Sequence, residues 1–123
     1  MRTYSILIVL ILAFSCKKES IDGAVKSEAC GVQYPARELP WLRKIIEDTK
    51  KKKEENVTTI TQVEVGGKTV FNVYVSYMSC IGCISYYCDG TKLDRSELTD
   101  SQLMEYQNDI GGVGGKRKIL WPE

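Results

Sequence analysis

The sequence predicts an α+β fold: an N-terminal helix packed on a small antiparallel sheet, with a second short helix, stapled by disulfides. Three observations carry this. Residues 36–55 (ARELPWLRKIIEDTKKKKEE) repeat apolar side chains at helical spacing. Residues 58–78 (TTITQVEVGGKTVFNVYVSYM) place two β-branched runs around a Gly-Gly pair. Four cysteines, Cys30, Cys80, Cys83 and Cys88, frame the same stretch.

The first helix opens near Pro40, whose missing N–H needs no partner in a first turn. Leu39, Leu42, Ile45 and Ile46 form one apolar stripe, with Trp41 at its side. The lysines at 50–53 occupy the last turns, where cations favour the negative end of the helix dipole, and they read as a solvated helix end beside Glu54 and Glu55. In the hairpin, Gly66 and Gly67 supply the positive φ of a two-residue turn. Alternation along the return strand, 68–78, puts Phe71, Val73, Val75 and Tyr77 on one face and Val70, Asn72, Tyr74 and Ser76 on the other. The first set is expected to meet the helix. SCIGC (79–83) breaks the pattern as a turn, ISYYC (84–88) is strand-like, and Asp89-Gly90 centres a second turn. Ser96 or Thr99 caps the second helix, with Leu98, Leu103, Tyr106 and Ile110 inward and Met104 able to join them. GGVGG (111–115) lacks any phosphate-loop signature and reads as a connection. KRKILWP (116–122) reads as a last strand with Ile119 and Trp121 on one face, ended at an edge by Pro122.

The N-terminus has a different character. Arg2 is followed by nine apolar residues, 6–14 (ILIVLILAF), too short to span a bilayer, which needs about 20, but suited to the core of a signal peptide. Leu12-Ala13-Phe14-Ser15-Cys16 resembles the lipobox of bacterial lipoproteins, in which the cysteine is lipidated and becomes the first mature residue. Bulky Phe14 departs from the commoner pattern, which has a small residue there. The reading is residues 1–15 as a lipoprotein signal peptide, Cys16 as the lipidation site, 16–29 as a flexible tether and 30–123 as a single α+β domain. Acyl chains at Cys16 would tie the protein to a membrane durably, since stable anchoring takes about two. Residues Lys17 and Lys18 follow, not the Asp that marks inner-membrane retention, so the resemblance implies the outer membrane.

The chain counts 17 Lys and Arg against 16 Asp and Glu, and loss of Arg2 leaves the mature chain balanced. That charge speaks against nucleic acid as a partner. There is no histidine, which removes the commonest general base and the Ser-His and Cys-His nucleophile pairs. No catalytic residue, metal or cofactor is expected. Once Cys16 is set aside, an even four cysteines remain, a disulfide framework in an exported domain. Four allow three pairings. The structural reading clips Cys80 to Cys83 across a turn and leaves Cys30 for Cys88. A thiol–disulfide redox centre at Cys80 and Cys83 is the alternative; it would need a cation or a helix start to lower the thiol pKa. No Lys or Arg lies between Lys68 and Lys92. Four thiolates around zinc are a third option, disfavoured in an oxidising compartment. Asn56-Val57-Thr58 is a glycosylation sequon, which a bacterial lipoprotein does not normally use. Tyr74, Tyr77, Tyr86 and Tyr87 fall on the expected sheet, as core and edge residues or, if exposed, as a binding face.

CGVQYPARELPWLRKIIED (30–48), YYCDGT (86–91) and KILW (118–121) together resemble a family of small bacterial envelope lipoproteins of unassigned function. The shared features are a Cys-Gly-Val start, a Leu-Pro-Trp-Leu helix, a Cys-Asp-Gly turn and a C-terminal Leu-Trp strand. The resemblance supports the Cys30–Cys88 pairing and implies no catalytic residue. The expected function is a lipid-anchored, non-enzymatic binding module whose partner is an envelope protein or ligand.

Overall fold

The structure, a computed structural model, describes residues 25–122. The expectations for the signal peptide, for Cys16 and for the tether up to residue 24 lie outside the described residues. Helices α1 (Pro35–Glu38) and α2 (Pro40–Lys51) precede the hairpin of β1 (Thr58–Val65) and β2 (Lys68–Val75). Strand β3 (Ser85–Tyr87), a 3₁₀ turn (Arg95–Glu97), helix α3 (Asp100–Ile110) and strand β4 (Lys118–Trp121) follow. The strands form one antiparallel sheet in the order β3-β2-β1-β4.

The helix expected over 36–55 is two helices. Pro40 disfavours the helical region for the residue before it, and Leu39 is extended, at φ −82° and ψ 113°. Helix α2 ends at Lys51, and its carbonyls are closed by Lys53 in the left-handed region, at φ 57°. Leu42 and Ile46 are fully buried and Ile45 is half-buried. Helix α3 starts at Thr99, the second of the two proposed caps, in a capping box with Gln102. Asp94 caps the 3₁₀ turn instead, accepting from the Ser96 backbone N–H.

The hairpin turns through Gly66 and Gly67, both at positive φ, and pairs Val65 with Lys68. Its sheet is covered on both faces. Ile60, Phe71 and Val73 face α2, where they meet Leu39, Leu42, Ile46, Leu120 and Trp121. Val63, Val65 and Val70 face α3, where they meet Leu93, Tyr106 and Ile110. The expectation of one core face, Phe71 to Tyr77, is therefore corrected. Val70 and Asn72 are as buried as Phe71, because α3 seals the second face. Tyr77 lies beyond the end of β2 and is 67% exposed.

Two further expectations change. Ile119 and Trp121 do not share a face: a bulge sets Ile60 opposite Trp121 and Thr61 opposite Ile119, turning Leu120 and Trp121 both toward α2. The folded unit also reaches back before Cys30. Val25 donates to the Leu120 carbonyl and Ser27 N–H to the Gln33 carbonyl, while the buried Ser27 hydroxyl donates to Gln62 Oε1 at 2.8 Å. Residues 25–29 are thus part of the domain, held by bonds that a flexible tether would not make.

Candidate functional site

The four cysteines form two disulfides, Cys30–Cys88 and Cys80–Cys83. Cys30 and Gly31 make a two-residue turn, both at positive φ, between the bonded Ala29 and Val32. The turn brings Cys30 to the end of β3, with 5.6 Å between the two α-carbons. Trp41 locks the same corner. Its indole N–H donates to the Cys88 carbonyl at 2.9 Å, and its ring lies against Phe71, Tyr86 and the backbone of Gly90. This corner is structural, and its sulfurs pack against the α2-side core.

The Cys80–Cys83 loop is different. It joins β2 to β3, and both cysteines are exposed. Gly82 between them is buried and sits at φ 80°. A side chain there would overlap Ile110 and stand 3.0 Å from the Tyr106 hydroxyl. A directional chain of hydrogen bonds holds the loop. Asn72 Nδ2 donates to Ser85 Oγ at 3.1 Å, and Ser85 Oγ lies 2.5 Å from Tyr106 Oη. Tyr106 Oη donates to the Gly82 carbonyl at 2.6 Å. Because the phenol has one proton and gives it to Gly82, Ser85 must donate to Tyr106. Burial pushes the Tyr106 phenol above its ordinary range, against a smaller opposite pull from the Ser85 bond.

Beside the loop lies a groove of about 310 Å³. Thr59, Thr61, Tyr74 and Ile119 contribute from the sheet; Ile81 from the loop; Arg117 from the segment that enters β4. Thr61 is 5% exposed, and its hydroxyl has no hydrogen-bond partner among the described residues. Arg117 donates to the Ile110 carbonyl at 3.1 Å, placing a cation at the negative end of α3. The site can therefore present an apolar rim, a polar floor and a cation.

Cys16 lies outside the described residues. No helix begins at the Cys80–Cys83 pair: turn and bends run to Ser85, where β3 starts. The four cysteines stand as two separate pairs, and among the described residues no group of three or more Cys, Asp or Glu is placed to hold a metal ion. The tyrosines do not make one face. Tyr86 pairs with Phe71 on the α2 side, Tyr87 with Val70 on the α3 side, Tyr74 lines the groove and Tyr77 stands beyond the sheet. The Asn72–Ser85–Tyr106 chain and the Thr61 floor were not legible beforehand. Their only signal was polarity at positions that strand and helix periods turn inward.

Compared with known proteins, the chain matches no family model, no curated protein and no solved structure.

Proposed function

We propose that this is a lipid-anchored envelope protein of the bacterial outer membrane whose domain binds a partner and performs no catalysis. The observation that carries the binding reading is the groove. A closed loop, pinned through Gly82, walls a concave site with an unpartnered Thr61 hydroxyl at its floor and Ile81 and Ile119 exposed at its rim. Ligand sites commonly combine apolar walls with a few placed polar groups. Two disulfides suit an exported domain. The Ser15-Cys16 junction supplies the anchor.

Replacing Cys16 by Ser tests the anchor: the full-length chain should sediment with membranes washed in high salt and the variant should be released. A variant that stays membrane-bound through the high-salt wash overturns the lipoprotein reading. Thiol–disulfide exchange at Cys80 and Cys83 is the second reading, favoured by the exposure of both residues. Titration of the reduced pair separates the two. A Cys80 thiol near the ordinary value of about 8.5 fits a structural clip, and one well below it fits a redox centre.

A further inference from the structure

Four of the six exposed large apolar side chains among the described residues gather at one end of the molecule. Tyr77, Met78 and Ile81 lie in the loop that leaves β2 beyond the Thr58–Val75 pair. Val113, 63% exposed, lies just past the end of α3. The α3 end is at the same place, because Gly82 packs on Ile110, and Ile81, Ile110 and Tyr74 line one groove. The opposite end of α3 reaches the hairpin turn, where Gln102 touches Gly66.

Cations surround this apolar cluster. Helix α2 ends here, since Glu54 accepts the Tyr77 hydroxyl at 2.9 Å and Val57 bonds Ser76. The lysines at 50–53 therefore stand at this end, and Arg117 lines the groove that holds Ile81, whereas Lys116 lies with Gln62, Glu64, Glu105 and Asp109. Glu54 and Glu55 are the acids beside the lysines. The hairpin end carries Glu64, Asp89, Asp94, Glu97 and Asp100, with Lys68, Lys92 and Arg95 among them, and is acidic on balance.

The first described residue also lies toward the apolar end. Ser27 stands level with Gln62, whereas Val25 bonds Leu120, beside the Ile60–Trp121 pair and nearer that end. Val25 lies nine positions after Cys16, at most about 30 Å of chain.

From these placements we propose that this end is a membrane-facing surface. Tyr77, Met78, Ile81 and Val113 enter the interface of a lipid bilayer, and the lysines at 50–53 with Arg117 contact its anionic headgroups. Exposed apolar patches ringed by cations suit the boundary between headgroups and acyl chains. The inference rests on the lipid-anchor reading for its biological setting, but its chemistry is independent of the acyl chains.

The test uses the mature chain from residue 16 carrying Cys16→Ser, mixed with phosphatidylethanolamine vesicles containing phosphatidylglycerol, or with phosphatidylcholine vesicles alone. Sedimentation should show partition at least 10-fold stronger into the anionic vesicles, lost in high salt. Met78→Asp with Ile81→Asp should weaken it about 10-fold or more, as should Lys51→Glu, Lys52→Glu and Lys53→Glu together. Met104→Asp, on the outer side of α3, should leave it unchanged. Equal partition into both compositions, no partition at all, or an equal loss with Met104→Asp overturns the proposal. A protein as the occupant would leave the Met78/Ile81 variant and its parent alike on vesicles, which also overturns it. Failure of the anchor reading shows elsewhere, as wild-type chain in the soluble fraction.

Discussion

At the scale of single residues, Tyr106 connects the two halves of the site. Helical spacing already turned its ring inward. A buried phenol must find a partner for its hydroxyl, and that partner, the Gly82 carbonyl, lies 24 positions away in sequence. Tyr106→Phe leaves the Gly82 carbonyl and the Ser85 hydroxyl without it, a loss of about 1–3 kcal/mol. The urea midpoint at pH 7 should fall accordingly, and an unchanged midpoint would show that the chain of bonds does not hold the loop. The phenol also titrates higher in the folded protein than in the unfolded chain. The unfolded chain then loses its proton first, at about pH 10. The stability from this group is complete below that pH and declines as pH rises through the folded value. The gap between parent and Tyr106→Phe should therefore narrow above about pH 10.

Among the elements, α2 and α3 end in the same way with different residues. In α3, Val113 N–H bonds Asn108 O and Gly112 N–H bonds Asp109 O, around Gly112 at φ 80°. In α2, Glu54 bonds Thr49 O and Lys53 bonds Lys50 O, around Lys53 at φ 57°. Both are Schellman ends, whose left-handed position favours glycine because a Cβ is strained there. Lys53→Gly should stabilise the domain by about 0.5–1 kcal/mol after allowing for glycine's greater freedom in the unfolded chain. A thermal scan should show a midpoint a few degrees higher, and a lower one would contradict the account. Elements were legible wherever a local rule governs them: Gly66-Gly67 turned the hairpin, and Thr99 capped α3. The break at Leu39 follows from Pro40 and was available from the sequence, but the apolar stripe that runs across it masked it. The bulge at Leu120 carried no such signal, because it answers to packing on Ile60 and the α2 core.

Over the whole molecule, two disulfides constrain different things. Cys30–Cys88 closes a separation of 58 residues and ties the lead into α1 to the far edge strand. Cys80–Cys83 closes a separation of 3 within one loop. In the chain-entropy account the first contributes about 4 kcal/mol and the second about 2. Cys30→Ala with Cys88→Ala should lower the denaturant midpoint roughly twice as far as Cys80→Ala with Cys83→Ala. The reverse order would mean that the small loop, through Gly82 and Tyr106, carries more of the fold than its length suggests.

By itself the sequence determined the α+β class, the main helix and strand segments, the Gly-Gly hairpin and the two candidate caps Ser96 and Thr99, all set by interactions within a few residues. It also singled out the cysteines that pair. The tertiary structure decided what depends on distant segments meeting. Helix α3 sealed a second sheet face and buried Val70 and Asn72, which alternation had turned to solvent. Residues 25–29 joined the domain through Leu120 and Gln62. The groove beside Cys80–Cys83 took its walls from β1, β2, α3 and the approach to β4, four places that no periodicity links. Local rules set which way a side chain points along its own element; only packing between elements settles what it points at.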